Sequence, residues 1–175
     1  MTEFSVVEVQ HLPPIGFLNA ERRIVQCPDG ERVERIAITH PGAVAVVPID
    51  GDHVVLIHQY RAALDDWLLE IPAGKRDEAG ELPEETAVRE LREELGITSC
   101  TLTQGVSFFN AAGYCDERID VLIARDVVFG SGPEPDGPEE RYARMERLAI
   151  ADIDHAIQSG RIQDAKTLIG LQLIS

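Results

Sequence analysis

The rhythm of apolar and polar positions changes several times along this chain, and each change marks an element. Residues 6–26 mix apolar and polar side chains and predict one or two strands. Cys27-Pro28-Asp29-Gly30 is a turn signal, and residues 32–39 alternate as a strand does. Two β-rich runs, 43–47 and 53–58, flank Asp50-Gly51-Asp52 and predict a hairpin. A short apolar segment at 68–71 runs into Pro72-Ala73-Gly74. The period then lengthens. Residues 82–95 predict a helix in which Ala87, Val88, Leu91 and Leu95 form one apolar stripe. Pro83 suits its first turn, Glu84 and Glu85 favour its positive end, and Gly96 stops it. Strands are expected again at 98–109, 119–128 and 143–150, with a Gly/Pro-rich loop at 130–138. Helices are expected at 152–159 and 164–173. Strands, one central helix, strands, then helices is the order of a mixed α/β sandwich.

With 175 residues, 44% of them hydrophobic, the chain reads as a single domain with an ordinary core. It contains no run of 18 apolar residues, so no membrane helix is expected. Met1-Thr-Glu-Phe-Ser lacks the start of a secretory signal, and the expected location is cytoplasmic. Cys27, Cys100 and Cys115 are too scattered for a disulfide framework or a cysteine zinc site. The five histidines lack metal-ligand spacing and read as structural or surface groups. A formal charge of −15 disfavours a nucleic-acid partner. That charge is uneven, however, with a dense group of acids between Asp77 and Glu94.

Within the central helix, Glu90 and Glu94 are four apart and Glu93 is three from Glu90. Those spacings put the carboxylates on one face, where like charges repel by a few tenths of a kcal/mol per pair. A cation between them reverses the sign, and oxygen donors suit Mg²⁺ or Mn²⁺. Taken alone, the same spacing also describes a solvated acidic face salt-linked to Arg89 and Arg92.

The wider pattern decides between the two. Gly74, Glu81, Arg89-Glu90-Leu91, Glu93-Glu94 and Gly96-Ile97 closely resemble the Nudix box, Gly-x5-Glu-x7-Arg-Glu-U-x-Glu-Glu-x-Gly-U, where U is a bulky aliphatic. Every specified position from Glu81 onward matches, and one extra residue separates Gly74 from Glu81. Seven fixed identities arise by chance on the order of 10⁻⁸ per start point, so the match is read as a family signature. The resemblance implies the Nudix fold, a mixed sheet between helices, preceded here by an antiparallel β extension over residues 1–40 and a catalytic core over 41–175. It also implies hydrolysis of a nucleoside diphosphate linked to another group, with Glu90, Glu93 and Glu94 binding the metal and Arg89 orienting them.

Segments outside the box resemble the ADP-ribose pyrophosphatase branch of that family. They are Thr39-His40-Pro41-Gly42-Ala43-Val44, Gln59-Tyr60-Arg61, Leu69-Glu70-Ile71-Pro72-Ala73-Gly74-Lys75, residues 109–118, and Ser159-Gly160-Arg161-Ile162 with Asp164-Ala165-Lys166-Thr167. By that resemblance the Ala73 carbonyl is a further metal ligand. Arg35 and Arg61 contact the adenine or diphosphate, and Gly113 and Glu117 meet the terminal ribose. Glu93, Glu139 and Glu140 are the catalytic candidates, Glu139 being preferred over Glu140 as the acid that positions water. The implied reaction turns ADP-ribose into AMP and ribose 5-phosphate in a homodimer. The alternatives are a pyrophosphatase for another nucleoside diphosphate sugar and a non-catalytic ADP-ribose-binding module. Ala111-Ala112-Gly113 stands where the branch often has Ser-Pro-Gly.

Overall fold

A computed structural model describes residues 3–16, 18–76 and 80–175. Asp77, the first acid of the dense group, and part of the loop carrying the extra residue lie outside them. The chain forms two compact units, Met1–Gly42 with Phe109–Arg118, and Ala43–Phe108 with Ile119–Ser175.

The first unit is an antiparallel sheet of β1 (Ser5–His11), β2 (Asn19–Gln26) and β3 (Arg32–Thr39), in that order. The turn at Cys27 closes β2 onto β3, with the Cys27 N–H donating to Glu31 O at 2.7 Å. The segment 109–118 joins this unit through β3. Ile38 N–H donates to Tyr114 O at 2.7 Å, and Asp116 N–H donates to Ile38 O at 3.1 Å. A contiguous reading that ends the extension at residue 40 does not include this segment, because the contact is made across 76 positions of chain.

The second unit is built on β4 (Ala43–Asp50), β5 (His53–Arg61), β6 (Asp66–Glu70), β7 (Ala73–Lys75), β8 (Ile97–Phe109), β9 (Arg118–Phe129) and β10 (Arg144–Ala149). The sheet runs β10-β5-β4-β9-β8, with β6 on β5 and β7 on β4. It is mixed: β9 is parallel to β4, whereas β5, β7 and β10 make antiparallel pairs. β4 explains the layering. Val44 and Val46 face one core with Ala87, Leu91 and Leu95 of helix α1 (Pro83–Leu95). Ala43, Ala45 and Val47 face the other, with Ile153 and Ala156 of α3 (Ile153–Gln158) and Leu171 of α4 (Ala165–Leu171). Strand alternation of period two therefore covers both faces with helices.

Two elements go beyond the sequence expectation. β7 is three residues long and contains a glycine, and it forms because β4 offers Ala43–Ala45 while pairing β5 only at Ile49 and Asp50. A short helix α2 (Pro138–Tyr142) carries Glu139 and Glu140, where a loop was expected. Val88 also departs from the expected stripe. It is exposed, and Thr86 and Glu90 are buried beside Ala87 and Leu91 instead. No helix of the described residues is long and apolar enough to cross a membrane.

Candidate functional site

Helix α1 is fixed at both ends, which sets the direction of its acids. At its start the Leu82 N–H donates to Glu85 Oε2 at 2.8 Å, and Pro83 follows at the first position. At its end Gly96 takes φ 67°, where its N–H meets Arg92 O at 3.0 Å. A Cβ there would also lie 2.4 Å from the Gly132 carbonyl carbon, so glycine is required twice over.

The buried side of α1 meets β7, and the meeting is polar. The Ala73 N–H donates to Glu94 Oε2 at 3.2 Å. Beside it, Gly74 leaves room for Glu90, because a Cβ at 74 would fall 1.7 Å from Glu90 Oε1. Arg89 ties the neighbouring acids together. Its Nη1 donates to Glu90 Oε1 at 2.7 Å and to Glu93 Oε2 at 3.0 Å, and its Nε to Glu81 Oε1 at 3.3 Å. Its Nη2 reaches Lys75 O at 3.3 Å, and Thr86 Oγ1 donates to Glu81 Oε2 at 2.8 Å. Arg89 is therefore an orienting partner, and Glu81 is part of its cradle.

The electrostatics of this cluster are unfavourable as it stands. Burial pushes the Glu90 carboxyl up from 4.5 to about 7; Arg89 opposes this, while Glu93 and Glu140 add to it. Burial also raises Glu94 well above the carboxylate range, assisted by Glu90 and Glu140 and opposed by the Ala73 N–H and Lys166. Burial of Arg89 works against its charge, but Glu81, Glu90 and Glu93 outweigh it and raise its pKa. Carboxylates that repel one another in a desolvated place fit a divalent cation, which removes both penalties at once. Hard oxygen donors at Glu90, Glu93 and Glu94 match the chemistry of Mg²⁺ or Mn²⁺.

The other candidates divide by unit. Glu139 and Glu140 sit on α2, and Glu140 is the one whose charge raises both Glu90 and Glu94. The Glu140 Oε2 accepts from the N–H groups of Asp136 and Gly137 at 2.8 and 3.3 Å, which fixes that side chain at the start of α2. Arg61 is engaged by Glu70, through Nε at 2.7 Å and Nη2 at 2.5 Å. Arg35, Gly113 and Glu117 belong to the first unit. There the Arg35 Nη1 donates to Glu34 O at 2.8 Å, and Glu117 accepts from Asn110 Nδ2 at 3.0 Å with His40 Nε2 at 3.6 Å.

Sequence reasoning missed the group around Glu70. This carboxylate is 1% exposed and is shared by Arg61 and Lys166. The signal was present: in α4, Lys166 lies on the buried stripe with Thr167, Gly170 and Leu171. A lysine on a core-facing stripe requires an acidic partner.

Comparison with known proteins points in the same direction. Residues 39–167 match the family described as NUDIX domain. The chain is 36% identical over 152 residues to the "ADP-ribose pyrophosphatase" of Bacillus subtilis, spanning 86% of this chain and 80% of that protein. It is 35% identical over 152 residues, with the same coverage, to the "Methanol dehydrogenase activator" of Bacillus methanolicus. A solved "ADP compounds hydrolase" shares the fold at a TM-score of 0.82, with 24% identity, 98% of this chain covered and 92% of the other.

Proposed function

This chain belongs to the NUDIX family, and from that membership we propose that it hydrolyses ADP-ribose to AMP and ribose 5-phosphate with Mg²⁺ or Mn²⁺. The observation that carries the reading is the set of acids on α1 beside the Ala73–Gly74 backbone. Glu90, Glu93, Glu94 and the Ala73 carbonyl would hold the cation. A bound divalent cation neutralises the diphosphate oxygens and lowers the pKa of water.

The chain's own residues do the remaining work. Arg89 orients Glu90 and Glu93 through one guanidinium nitrogen. Glu140 accepts the proton of the attacking water at its carboxylate, a role for which Glu139 and Glu93 are the other candidates. Water oxygen bonds to one phosphorus, the bridging P–O bond breaks, and the two phosphate monoesters leave. Arg35, Arg61, Gly113 and Glu117 are assigned to the substrate by their place in the family pattern. The chain acts as a homodimer through its N-terminal sheet. Phe4, Val6, Val7 and Val9 are exposed in and beside β1, an edge strand that offers both apolar surface and backbone groups.

The test is a hydrolysis screen of ADP-ribose against GDP- and UDP-sugars, with Mg²⁺, Mn²⁺ or EDTA. Fastest turnover of ADP-ribose, stopped by EDTA, is expected. Glu94→Gln should abolish turnover while the protein stays folded. Equal or faster turnover of another nucleotide sugar sinks the substrate assignment, and full activity in Glu94→Gln sinks the metal role.

A further inference from the structure

We propose that the start of α4 clamps the strap that holds the metal-binding acids, with Thr167, Lys166 and Gly170 as positioning residues for the reaction. The strap is Glu70-Ile71-Pro72-Ala73-Gly74. At one end it meets both acids: the Ala73 N–H donates to Glu94, and Gly74 leaves the space that Glu90 occupies. Its middle is pinned to β4, where Val46 N–H donates to Pro72 O at 2.9 Å. Its other end is held by α4.

Thr167 makes the decisive contact. The Ile71 N–H donates to Thr167 Oγ1 at 2.9 Å, and both residues are fully buried. A hydroxyl has one hydrogen to give, and Thr167 gives it to Asp164 Oδ2 at 2.6 Å. Its lone pairs are therefore left for Ile71. Asp164 also accepts from the Thr167 N–H at 2.9 Å and pairs with Lys166 at 3.1 Å, so one carboxylate caps the helix and orders both side chains. Lys166 in turn holds the Glu70 carboxylate at Oε2, and Arg61 grips the same carboxylate through both oxygens. One turn further on, a Cβ at Gly170 would stand 2.9 Å from Ile71 Cδ1 and 2.9 Å from Val47 Cγ2. The helix thus approaches the strap as closely as a glycine permits.

The groups proposed to hold the cation all lie outside α4. Its effect passes along two residues of backbone, from Ile71 to Ala73, and interiors packed at crystal density transmit such shifts. Partners of this kind tune metal affinity by about 10- to 100-fold in other sites. The inference rests on the metal role proposed above.

The experiment compares wild type with Thr167→Val, Thr167→Ser and Gly170→Ala. Free Mn²⁺ is followed by electron paramagnetic resonance, melting is recorded in EDTA, and kcat and KM are measured with ADP-ribose. Thr167→Val and Gly170→Ala should bind Mn²⁺ about tenfold more weakly at a temperature where each is folded, with kcat lowered more than KM. Thr167→Ser should restore the affinity. Wild-type Mn²⁺ affinity in folded Thr167→Val overturns the clamp; should that variant fail to fold, Gly170→Ala decides by the same criterion. A wild-type protein that binds no Mn²⁺ overturns the metal role and the clamp with it. If wild type binds Mn²⁺ but spares ADP-ribose, only the substrate reading falls, and the Mn²⁺ titrations still decide the clamp.

Discussion

The carboxylate of Glu90 fills the space that any side chain at position 74 would need, its Oε1 lying 1.7 Å from where a Cβ would stand. Glu90 is 6% exposed and held by Arg89, and its carboxylate is the far end of a flexible side chain, which can turn aside from an added methyl. Gly74→Ala should therefore displace the carboxylate while sparing the fold. We expect Mn²⁺ affinity to fall by about 10- to 100-fold, measured by titration, with melting in EDTA little changed. Unaltered affinity would show that Glu90 is not placed by this glycine.

The pH dependence of the metal-free protein should run against habit for an acid. Glu90 titrates at about 7 when folded, against 4.5 ordinarily, so the folded state keeps a proton that the unfolded chain has released. Where the folded state binds more protons, stability falls as pH rises. The loss begins near the unfolded value and is complete above about 7. For Glu90 it amounts to on the order of 3 kcal/mol, and Glu94 acts in the same direction. Melting in EDTA should be lower at pH 8 than at pH 5, and Glu90→Gln should flatten the difference. Mn²⁺ should raise the melting temperature more at pH 8, because protons compete with the ion. A flat profile in EDTA would contradict the buried cluster.

Glu140 and Glu139 are adjacent in sequence and unequal in place. The charge of Glu140 raises both Glu90 and Glu94, and its carboxylate is set by the Asp136 and Gly137 N–H groups. Glu140→Gln should lower kcat by about 10²- to 10⁴-fold, as loss of a general base does, with Mn²⁺ affinity less affected. Glu139→Gln should stay near wild type. The reverse ranking in steady-state kinetics would return the role to Glu139.

The exposed valines of β1 test the homodimer. Light scattering should give twice the chain mass for wild type. Val7→Glu with Val9→Glu should give a single-chain mass, since buried unpaired carboxylates oppose association. A monomeric wild type removes the dimer altogether.

Much of the fold was legible in the chain because its rhythms are local. Strand alternation, the Asp50-Gly51-Asp52 turn and the start and stop signals of α1 act over a few residues, and β4, β5 and α1 lie where they were expected. The acids of α1 were legible for the same reason, since helical spacing alone aligns Glu90, Glu93 and Glu94. Val88 shows where local reading ends. Its spacing fits an apolar stripe, yet the helix turns a neighbouring face to β7, where Glu90 is buried beside Gly74.

What only the tertiary structure decided is long-range and polar. Ala73 reaches Glu94 across 21 positions, and Ile71 reaches Thr167 across 96. β7 is too short to announce itself and exists because β4, pairing β5 only at Ile49 and Asp50, leaves Ala43–Ala45 open to it. Hydrophobic periodicity records which face of an element is buried, but not which polar group waits on the other side. The chain by itself determined that acids would line one face of α1. Folding determined that a strap of backbone, held from the far side by α4, would fix two of them, because buried hydrogen-bonding groups must find partners wherever the sheet brings them.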